Sequence, residues 1–373
     1  MQIAILKEIR KGEHRVAATP ESVKKFIALG CKVNVETGAG DGSKLPDELY
    51  STAGATITKD AAATLHGADL LLKVQSPTDD EIKLMPAGIN LISLMNPLDD
   101  KGIAAKLAQQ KINGFALEFI PRISRAQSMD VLSSQSNLAG YRAVIEAAIE
   151  YGRAFPMMMT AAGTVAPARA LILGVGVAGL QAIATAKRLG AIVSAFDVRK
   201  AAKEQAMSLG AKFIEVEGDE DAETAGGYAK ESSNDYKKLQ AAKIHETLLK
   251  QDIVITTALI PGKKAPVLIT KDMVKDMRPG SVIVDLAAGA GGNCEYSKPD
   301  QIINKYDVKI IGFTNIPSHI ASDASSLLAR NIYNLVELMF DKEAKKLTIN
   351  LEDEIIKSIM LTENGKVIHD LMK

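Results

Sequence analysis

Apolar and polar residues change their spacing several times along this chain. Short apolar runs at 2–6, 69–74 and 89–95 are typical of buried β-strands. Residues 322–340 instead repeat their apolar positions at the spacing of one helix face. Because strand-like and helix-like segments follow one another in turn, the pattern predicts an α/β fold with parallel sheets.

Start and stop signals predict where further elements lie. Thr19 suits the cap of a helix over 20–29, which has proline at its first position. The polar, irregular segment 121–134 precedes a helix that is expected to begin within 134–137 and to end near Phe155. The remaining predictions are a helix at 99–110 and strands at 31–36, 112–119, 211–216, 252–259, 281–287 and 309–313.

The C-terminal region is expected to return to the N-terminal region. The helix over 322–340, capped by Ser322 or Asp323, carries the chain back, and NGKVIHD at 364–370 is typical of a small hairpin. The acidic segment 218–236 has few apolar residues to anchor it. It is expected to be a mobile loop, with a plain surface connection as the alternative.

These elements predict two Rossmann-like, doubly wound parallel-sheet domains flanking a cleft. The first domain is discontinuous (1–135 plus 316–373), and the second (136–315) is inserted into it. Ligands of such sheets bind at the carboxyl ends of the strands, so the cleft is the expected active site.

Residues 171–199 carry the most specific motif. Gly174, Gly176 and Gly179 form a G-x-G-x-x-G between a predicted strand and a predicted helix, and Asp197 ends the next strand. The first glycine permits the tight turn, the second lets a pyrophosphate reach the backbone, and the third lets the helix pack closely. The helix N-terminus attracts phosphates. Asp197 suits the hydroxyls of an adenosine ribose and would repel a 2′-phosphate, so the motif predicts binding of NAD(H) rather than NADP(H).

Composition narrows the class of protein further. The 373 residues suffice for two domains, and 45 basic against 45 acidic residues argue against a general binder of nucleic acid or membrane surfaces. Two cysteines, Cys31 and Cys294, imply no disulfide framework and fit a reducing compartment. The N-terminus does not resemble a signal peptide, and no apolar run is long enough to span a bilayer. The five histidines lack metal-ligand spacing, so no metal is expected.

Three stretches closely resemble one known family. They are PRISRAQSMDVLSSQSNLAGYRAV (121–144), FPMMMTAAGTVAPARALILGVGVAGLQAIATAKRLGA (155–191) and TTALIPGKKAPVLIT (256–270). Over nearly its whole length the chain is similar to the NAD(H)-binding component, domain I or alpha-1 subunit, of the proton-translocating nicotinamide nucleotide transhydrogenases. The wider fold is similar to alanine dehydrogenase and saccharopine dehydrogenase.

This resemblance implies a reaction and partners. Hydride would pass between NAD(H) on this chain and NADP(H) on a separate domain III, the beta subunit, coupled to proton movement through a membrane domain II. A homodimer is implied, with helices around 134–155 and 322–340 as candidate interfaces. The expected location is the cytoplasmic side of a bacterial inner membrane, or the mitochondrial matrix equivalent.

The resemblance also implies site residues. Arg122, Gln127, Asp130 and Ser133 would hold the nicotinamide half of the nucleotide, and Tyr141 would lie near the ring unless it is an ordinary core tyrosine. Tyr228 corresponds to the tip of the family's mobile loop. The other expected cofactor contacts, beside the three glycines, are Ile123, Ser124, Arg125, Val177, Asp197, Val198, Arg199, Gly227, Gln240, Ala258 and Leu259.

The implied chemistry requires placement of the nicotinamide rather than proton transfer. Direct hydride transfer moves no proton at the reacting carbons, so clamping groups are expected instead of a catalytic triad.

Two alternatives differ in class. An alanine dehydrogenase has a histidine after the strand that aligns with LISLMNP, where this chain has Met95 and Asn96, and a second acid where this chain has Gly289. Its substrate-binding cations persist as Arg15 and Lys73, which are interpreted as ancestry of the scaffold. A non-catalytic NAD-sensing module is the second alternative, and the intact 121–134 segment argues against it.

Overall fold

A computed structural model describes residues 1–216, 233–260 and 262–373. The chain divides into two compact units. Unit 1 comprises Met1–Gln135 and Pro317–Lys373, and unit 2 comprises Ser136–Ile316.

Unit 1 is built on a six-stranded parallel sheet. Its strands are β1 (Gln2–Ile5), β2 (Lys32–Glu36), β3 (Thr56–Thr58), β4 (Leu70–Leu72), β5 (Asn90–Ser93) and β6 (Asn113–Ala116). Its first helices are α1 (Pro20–Ala28), α2 (Asp47–Thr52), α3 (Ala61–Leu65), α4 (Asp79–Leu84) and α5 (Ile103–Gln109). The spatial order is β3-β2-β1-β4-β5-β6, so the order reverses between β1 and β4.

Both faces of this sheet are covered, as in a doubly wound fold. Along β1, Ile3 and Ile5 belong to one apolar core, whereas Ala4 and the following Leu6 belong to another. Strands buried on both faces are continuous apolar runs, which is why these strands were legible in the sequence.

Helix α1 begins where its cap was predicted. The Ser22 N–H donates to Thr19 Oγ1, and Ser22 Oγ accepts the Thr19 N–H at 3.0 Å, which completes a reciprocal capping box.

Helix α6 (Val131–Glu150) corrects two predicted boundaries. It starts before the expected 134–137 because Asp130 accepts the Ser133 N–H at 2.8 Å and so initiates the first turn. It ends before Phe155, and Lys309 Nζ donates to the terminal Glu150 carbonyl at 3.1 Å.

Unit 2 contains a seven-stranded sheet with the order β11-β10-β9-β12-β13-β15-β14, parallel except for β14. These strands are β9 (Arg169–Leu173), β10 (Ile192–Phe196), β11 (Lys212–Phe213), β12 (Ile253–Thr256), β13 (Val282–Asp285), β14 (Ile302–Lys305) and β15 (Val308–Ile311); a separate hairpin joins β7 (Met158–Thr160) to β8 (Gly163–Val165). The helices are α7 (Val177–Arg188), α8 (Lys200–Ser208), α9 (Asn234–Leu248) and α10 (Lys271–Asp276).

The segment predicted as a loop over 218–236 is only partly within the described residues. The prediction was wrong at its C-terminal end, because α9 begins at Asn234 with the Ser233 hydroxyl accepting the Tyr236 N–H. The rest of the segment lies outside the described residues.

The C-terminal portion of unit 1 contains α11 (Ala321–Met339), α12 (Glu354–Ile359), and two hairpins, β16 (Phe340–Asp341) with β17 (Lys346–Leu347) and β18 (Thr362–Glu363) with β19 (Lys366–Val367). The predicted cap of α11 was wrong. No side chain among the described residues caps this helix, which continues from the 3₁₀ helix Ile316–Ile320, and the Ser322 hydroxyl instead donates to the Ser43 carbonyl at 2.8 Å.

The fold class is therefore confirmed as α/β with two mostly parallel, doubly wound sheets. Within the described ranges, no helix has the length and apolar character that a bilayer crossing requires.

Replacing Thr19 by alanine is expected to lower the free energy of unfolding by about 1 kcal/mol, because the α1 cap is lost. Thermal and urea denaturation measure this effect. Thr19→Ser keeps the hydroxyl and should retain most of the stability. Equal losses in both variants would contradict a capping role.

Candidate dinucleotide-binding site

The glycine turn of unit 2 lies where the strand order of its sheet reverses. β9 and β12 are neighbours, and the Thr257 N–H donates to the Leu173 carbonyl at 2.8 Å as the two strands end. This position, at the carboxyl ends of adjacent strands that lead away in opposite directions, is where doubly wound sheets bind ligands.

Two of the three glycines are required by the protein itself. Gly174 has a φ of +97°, and a Cβ there would lie 2.6 Å from Thr257 Oγ1. A Cβ on Gly179 would lie 1.9 Å from the Gly174 carbonyl oxygen. The first glycine therefore permits the turn, and the third brings α7 into contact with it.

Gly176 is different from these two glycines. Its φ is −78°, which any residue adopts, and no described atom lies within 4 Å of the position of its missing Cβ. No side chain of the described residues caps α7, which begins at the next residue. The space beside Gly176 and the N–H groups of the first helical turn therefore fit a pyrophosphate.

The start of α7 also packs closely against α6. A Cβ on Gly140 would lie 2.0 Å from the Ala178 carbonyl oxygen, so only glycine permits this approach. The Asn137 side chain, one turn earlier on α6, donates to Gln181 Oε1 at 3.5 Å. Sequence reasoning missed Gly140, because a lone glycine within a helix has no distinctive spacing.

Asp197 directly follows β10, as expected. Its carboxylate accepts the Val175 N–H at 2.7 Å and the Arg199 N–H at 2.9 Å, which connects the tip of the second strand to the glycine turn. The Arg199 side chain forms an ion pair with the same carboxylate.

A buried polar network behind the turn was missed by sequence reasoning. The Asp285 carboxylate, at the end of β13, is fully buried and accepts hydrogen bonds from Thr256, Ala287, Asn293, Cys294 and Ser297. Asn293 accepts the Ala258 N–H at 3.1 Å and donates to the Ala258 and Pro266 carbonyls, both at 2.8 Å. These two residues hold the chain after β12 in place beside Gly174. An acid at the end of the apolar strand SVIVD was the available signal.

The remaining adenosine-side candidates lie in several environments. Val177 and Val198 are half-buried, Leu259 is exposed, and Gln240 is buried on α9. Gly227 and Tyr228 lie outside the described residues.

In unit 1 the 121–134 segment has more regular structure than predicted. It contains the 3₁₀ helix Ser124–Met129, followed directly by α6. The Asn331 and Asn334 side chains of α11 donate to the Ser128 carbonyl at 2.8 and 3.0 Å. Arg122 and Gln127 are exposed.

The other candidates of this segment contact unit 1 itself. Asp130 and Ser133 are hydrogen-bonded to each other through their side chains, and Arg125 pairs with Asp353 through two bonds of 2.6 and 2.9 Å. Ser124 is exposed, and Ile123 packs against the core. These contacts give Asp130 and Arg125 a role in the fold that holds whether or not a ligand binds.

Tyr141 is not a core residue. Its side chain, on α6, is 39% exposed, which removes the interpretation as an ordinary core tyrosine.

The cations that alanine dehydrogenases use for substrate are neutralised within unit 1. Arg15 forms a buried ion pair with Glu13, and Lys73 contacts Glu81 at 2.7 Å and Glu8 at 3.3 Å. Burial opposes ionisation of Glu13, but hydrogen bonds from Arg15 and its charge outweigh this and lower the pKa of Glu13 to about 2. Burial raises the pKa of Glu8 although Lys73 lies beside it.

Asn96 occupies the position expected to hold a histidine in alanine dehydrogenases. Its backbone N–H donates to Glu118 Oε1 at 2.7 Å. Glu118 Oε2 is buried and has no hydrogen-bond partner in the region of the chain that the structure describes. Burial raises the pKa of Glu118.

A metal centre is not evident among the described residues, where no group of three or more His, Cys, Asp or Glu side chains is suitably arranged. The geometry defines an α/β dinucleotide-binding protein whose phosphate site lies at the start of α7.

Comparisons with known proteins extend this assignment. The Alanine dehydrogenase/PNT N-terminal domain model matches residues 4–139, and the corresponding C-terminal domain model matches residues 143–370. The first portion of NAD(P) transhydrogenase subunit alpha from Rhodospirillum rubrum is 55% identical, covering 99% of this chain and 98% of that protein. A crystal structure of transhydrogenase from Sinorhizobium meliloti has a TM-score of 0.90 and 49% identity, covering 99% of this chain and 100% of that one. Alanine dehydrogenase of Methanococcus maripaludis is 30% identical, covering 99% of this chain and 95% of that protein.

The chain therefore belongs to the alanine dehydrogenase/PNT family, as the resemblance predicted. Its Rossmann-like fold with NAD-binding features is confirmed at the same time.

Substituting the second and third glycines separates binding from folding. Gly176→Ala is expected to leave the melting temperature unchanged and to weaken NADH binding about tenfold or more, because the added methyl occupies phosphate space. Gly179→Ala is expected to cost about 1–3 kcal/mol of stability, because its Cβ meets the Gly174 carbonyl. Calorimetric melting and NADH titration measure both effects. A Gly176→Ala variant with unchanged affinity would contradict the assigned phosphate site.

Glu118→Gln is expected to be stabilising at alkaline pH. The neutral form of Glu118 is favoured in the folded state, so its contribution is complete below the ordinary pKa of 4.5 and is lost as pH rises through the raised folded-state pKa. Glutamine keeps the acceptor for Asn96. From pH 4.5 to pH 8, the variant should gain on the order of 1 kcal/mol over the wild type in melting experiments. The exposed Glu48→Gln is the control, and a constant difference across this range would exclude the effect.

Proposed function

We propose that this chain is the NAD(H)-binding component of a proton-translocating transhydrogenase. The observation that carries the proposal is the 55% identity to the Rhodospirillum rubrum transhydrogenase alpha polypeptide, which extends over 98% of that protein. The intact glycine turn supports it. The described residues suit one dinucleotide, so the second coenzyme, NADP(H), is proposed to be bound by a partner.

Residues of unit 2 hold the adenosine and phosphate groups of NAD(H) in this proposal. The N–H groups at the start of α7 bind the pyrophosphate, and Asp197 accepts the ribose hydroxyls. Ala258, fixed by Asn293, and the exposed Leu259 lie at the carboxyl end of β12 beside this turn. When bound, the nicotinamide supplies or accepts the hydride.

The nicotinamide half is proposed to contact residues of the 121–134 segment. The exposed Arg122 and Gln127 are available for ligand contacts, and Asp130 with Ser133 forms a hydrogen-bonded pair suited to a carboxamide. Tyr141 is the fifth proposed residue. Their task is to orient the ring and exclude water, because hydride transfer requires no general acid or base.

The wider assembly is also proposed from the relatives. The partner is an NADP(H)-binding domain III, with hydride transfer coupled to proton translocation by a membrane domain II. We propose a homodimer on the cytoplasmic face of a bacterial inner membrane, or in the equivalent mitochondrial matrix. The names of the relatives as an alpha subunit support the existence of partner subunits.

An alanine dehydrogenase activity is disfavoured by the structure of unit 1. Arg15 and Lys73 are buried and already paired with carboxylates of this chain, so neither is an open site for a substrate carboxylate. Asn96 and Gly289 provide no proton-transfer group where the resemblance expects a histidine and an acid.

A reconstituted hydride-transfer assay tests the proposal. The full chain is mixed with purified domain III of a transhydrogenase, NADH and an NADP⁺ analogue. Reduction of the analogue is expected only when both proteins are present. NADH with pyruvate and ammonium should remain unoxidised.

Other outcomes would contradict the proposal in distinct ways. Tight NADH binding without transfer would favour a sensing module, and pyruvate-dependent oxidation would favour an alanine dehydrogenase. Gln127→Asn should slow transfer about tenfold while changing the dissociation constant of NADH much less, because its task is placement. The exposed Gln109→Asn of α5 is the matched control.

A further inference from the structure

The Asp197 carboxylate is already fully hydrogen-bonded without a ligand. Oδ1 accepts the Arg199 N–H and Arg199 Nε, both at 2.9 Å. Oδ2 accepts the Val175 N–H at 2.7 Å and an Arg199 terminal nitrogen at 2.8 Å. A carboxylate offers about four acceptor sites, and these four donors occupy them. The ribose hydroxyls assigned to Asp197 therefore require that some of these donors leave.

The four donors differ in how readily they can be displaced. The Val175 and Arg199 backbone N–H groups are fixed by the glycine turn and by the start of α8. The two side-chain donors of Arg199 are carried by rotatable bonds. Because guanidinium presents two parallel N–H groups to a carboxylate, it occupies both oxygens as a pair of adjacent hydroxyls would.

We propose that the Arg199 side chain is an internal substitute for the ribose diol and thereby sets the selectivity between NAD(H) and NADP(H). This inference rests on the proposed NAD(H) site. The guanidinium leaves Asp197 when the adenosine ribose binds. Its backbone N–H remains bonded to Oδ1, so the side chain stays near the 2′-position.

The charge of Arg199 then opposes the discrimination that Asp197 provides. A carboxylate alone repels a 2′-phosphate, whereas a neighbouring arginine attracts one. Lys200 and Lys203 follow Arg199 on α8 and add positive charge to the same segment. Removing the guanidinium should therefore increase the preference for NADH. It also removes the donors that compete with the ribose hydroxyls.

Titration of NADH and NADPH into the full chain tests this inference. In Arg199→Ala and Arg199→Gln, the ratio of the NADPH to the NADH dissociation constant should rise about tenfold over wild type. The NADH affinity should be unchanged or higher. Arg199→Lys keeps the charge and should hold the ratio within about threefold of wild type. Lys203→Ala, which removes a cation paired with Glu215, is the control and should leave the ratio unchanged.

A double-mutant cycle with Asp197→Asn identifies the interaction. On that background, Arg199→Ala should no longer improve NADH binding, because no competing ion pair remains. An unchanged ratio in both neutral variants, with wild type still binding NADH, would overturn this inference and leave the proposed function intact. Loss of NADH binding in Arg199→Ala would show a direct contact and also overturn it. If wild type bound no NADH, the proposed function itself would fail.

Discussion

The contact between the Gly179 region of α7 and the Gly174 carbonyl is the constraint on which the dinucleotide site depends. It brings the helix directly onto the turn that leaves β9, so the first N–H groups of α7 face the space beside Gly176. A side chain at either position would push the helix away and enlarge the turn. The geometry that suits a pyrophosphate is thus set by packing within the protein before any phosphate arrives.

Buried carboxylates hold the surrounding loops by accepting backbone N–H groups. Asp197 connects the second strand to the glycine turn, and Asp285 connects the loop after β13 to the chain after β12 through Asn293. Several hydrogen bonds to one anion offset the cost of burying it and fix loop segments that have no regular structure. The site is therefore rigid at its phosphate end for electrostatic reasons as well as for steric ones.

Apolar pattern and turn chemistry predicted much of the fold, and the glycine motif predicted the phosphate site. β1 and β9 were legible because strands covered on both faces are continuously apolar. The α1 cap was legible because its bonds are local. The start of α6 at Val131 and the start of α11 without a side-chain cap were not, since each depends on contacts that spacing cannot reveal. The Asp285 network and Gly140 were missed for the same reason.

The close approach of α6 to α7 at Gly140 has a consequence for altering this protein by directed evolution. A methyl group at that position would displace the Ala178 carbonyl, and with it the first turn of the helix that bears the phosphate-binding amides. Coenzyme affinity can thus be modified from a residue on a different helix that is not among the assigned coenzyme contacts. Mutagenesis libraries restricted to ligand-lining positions would omit it.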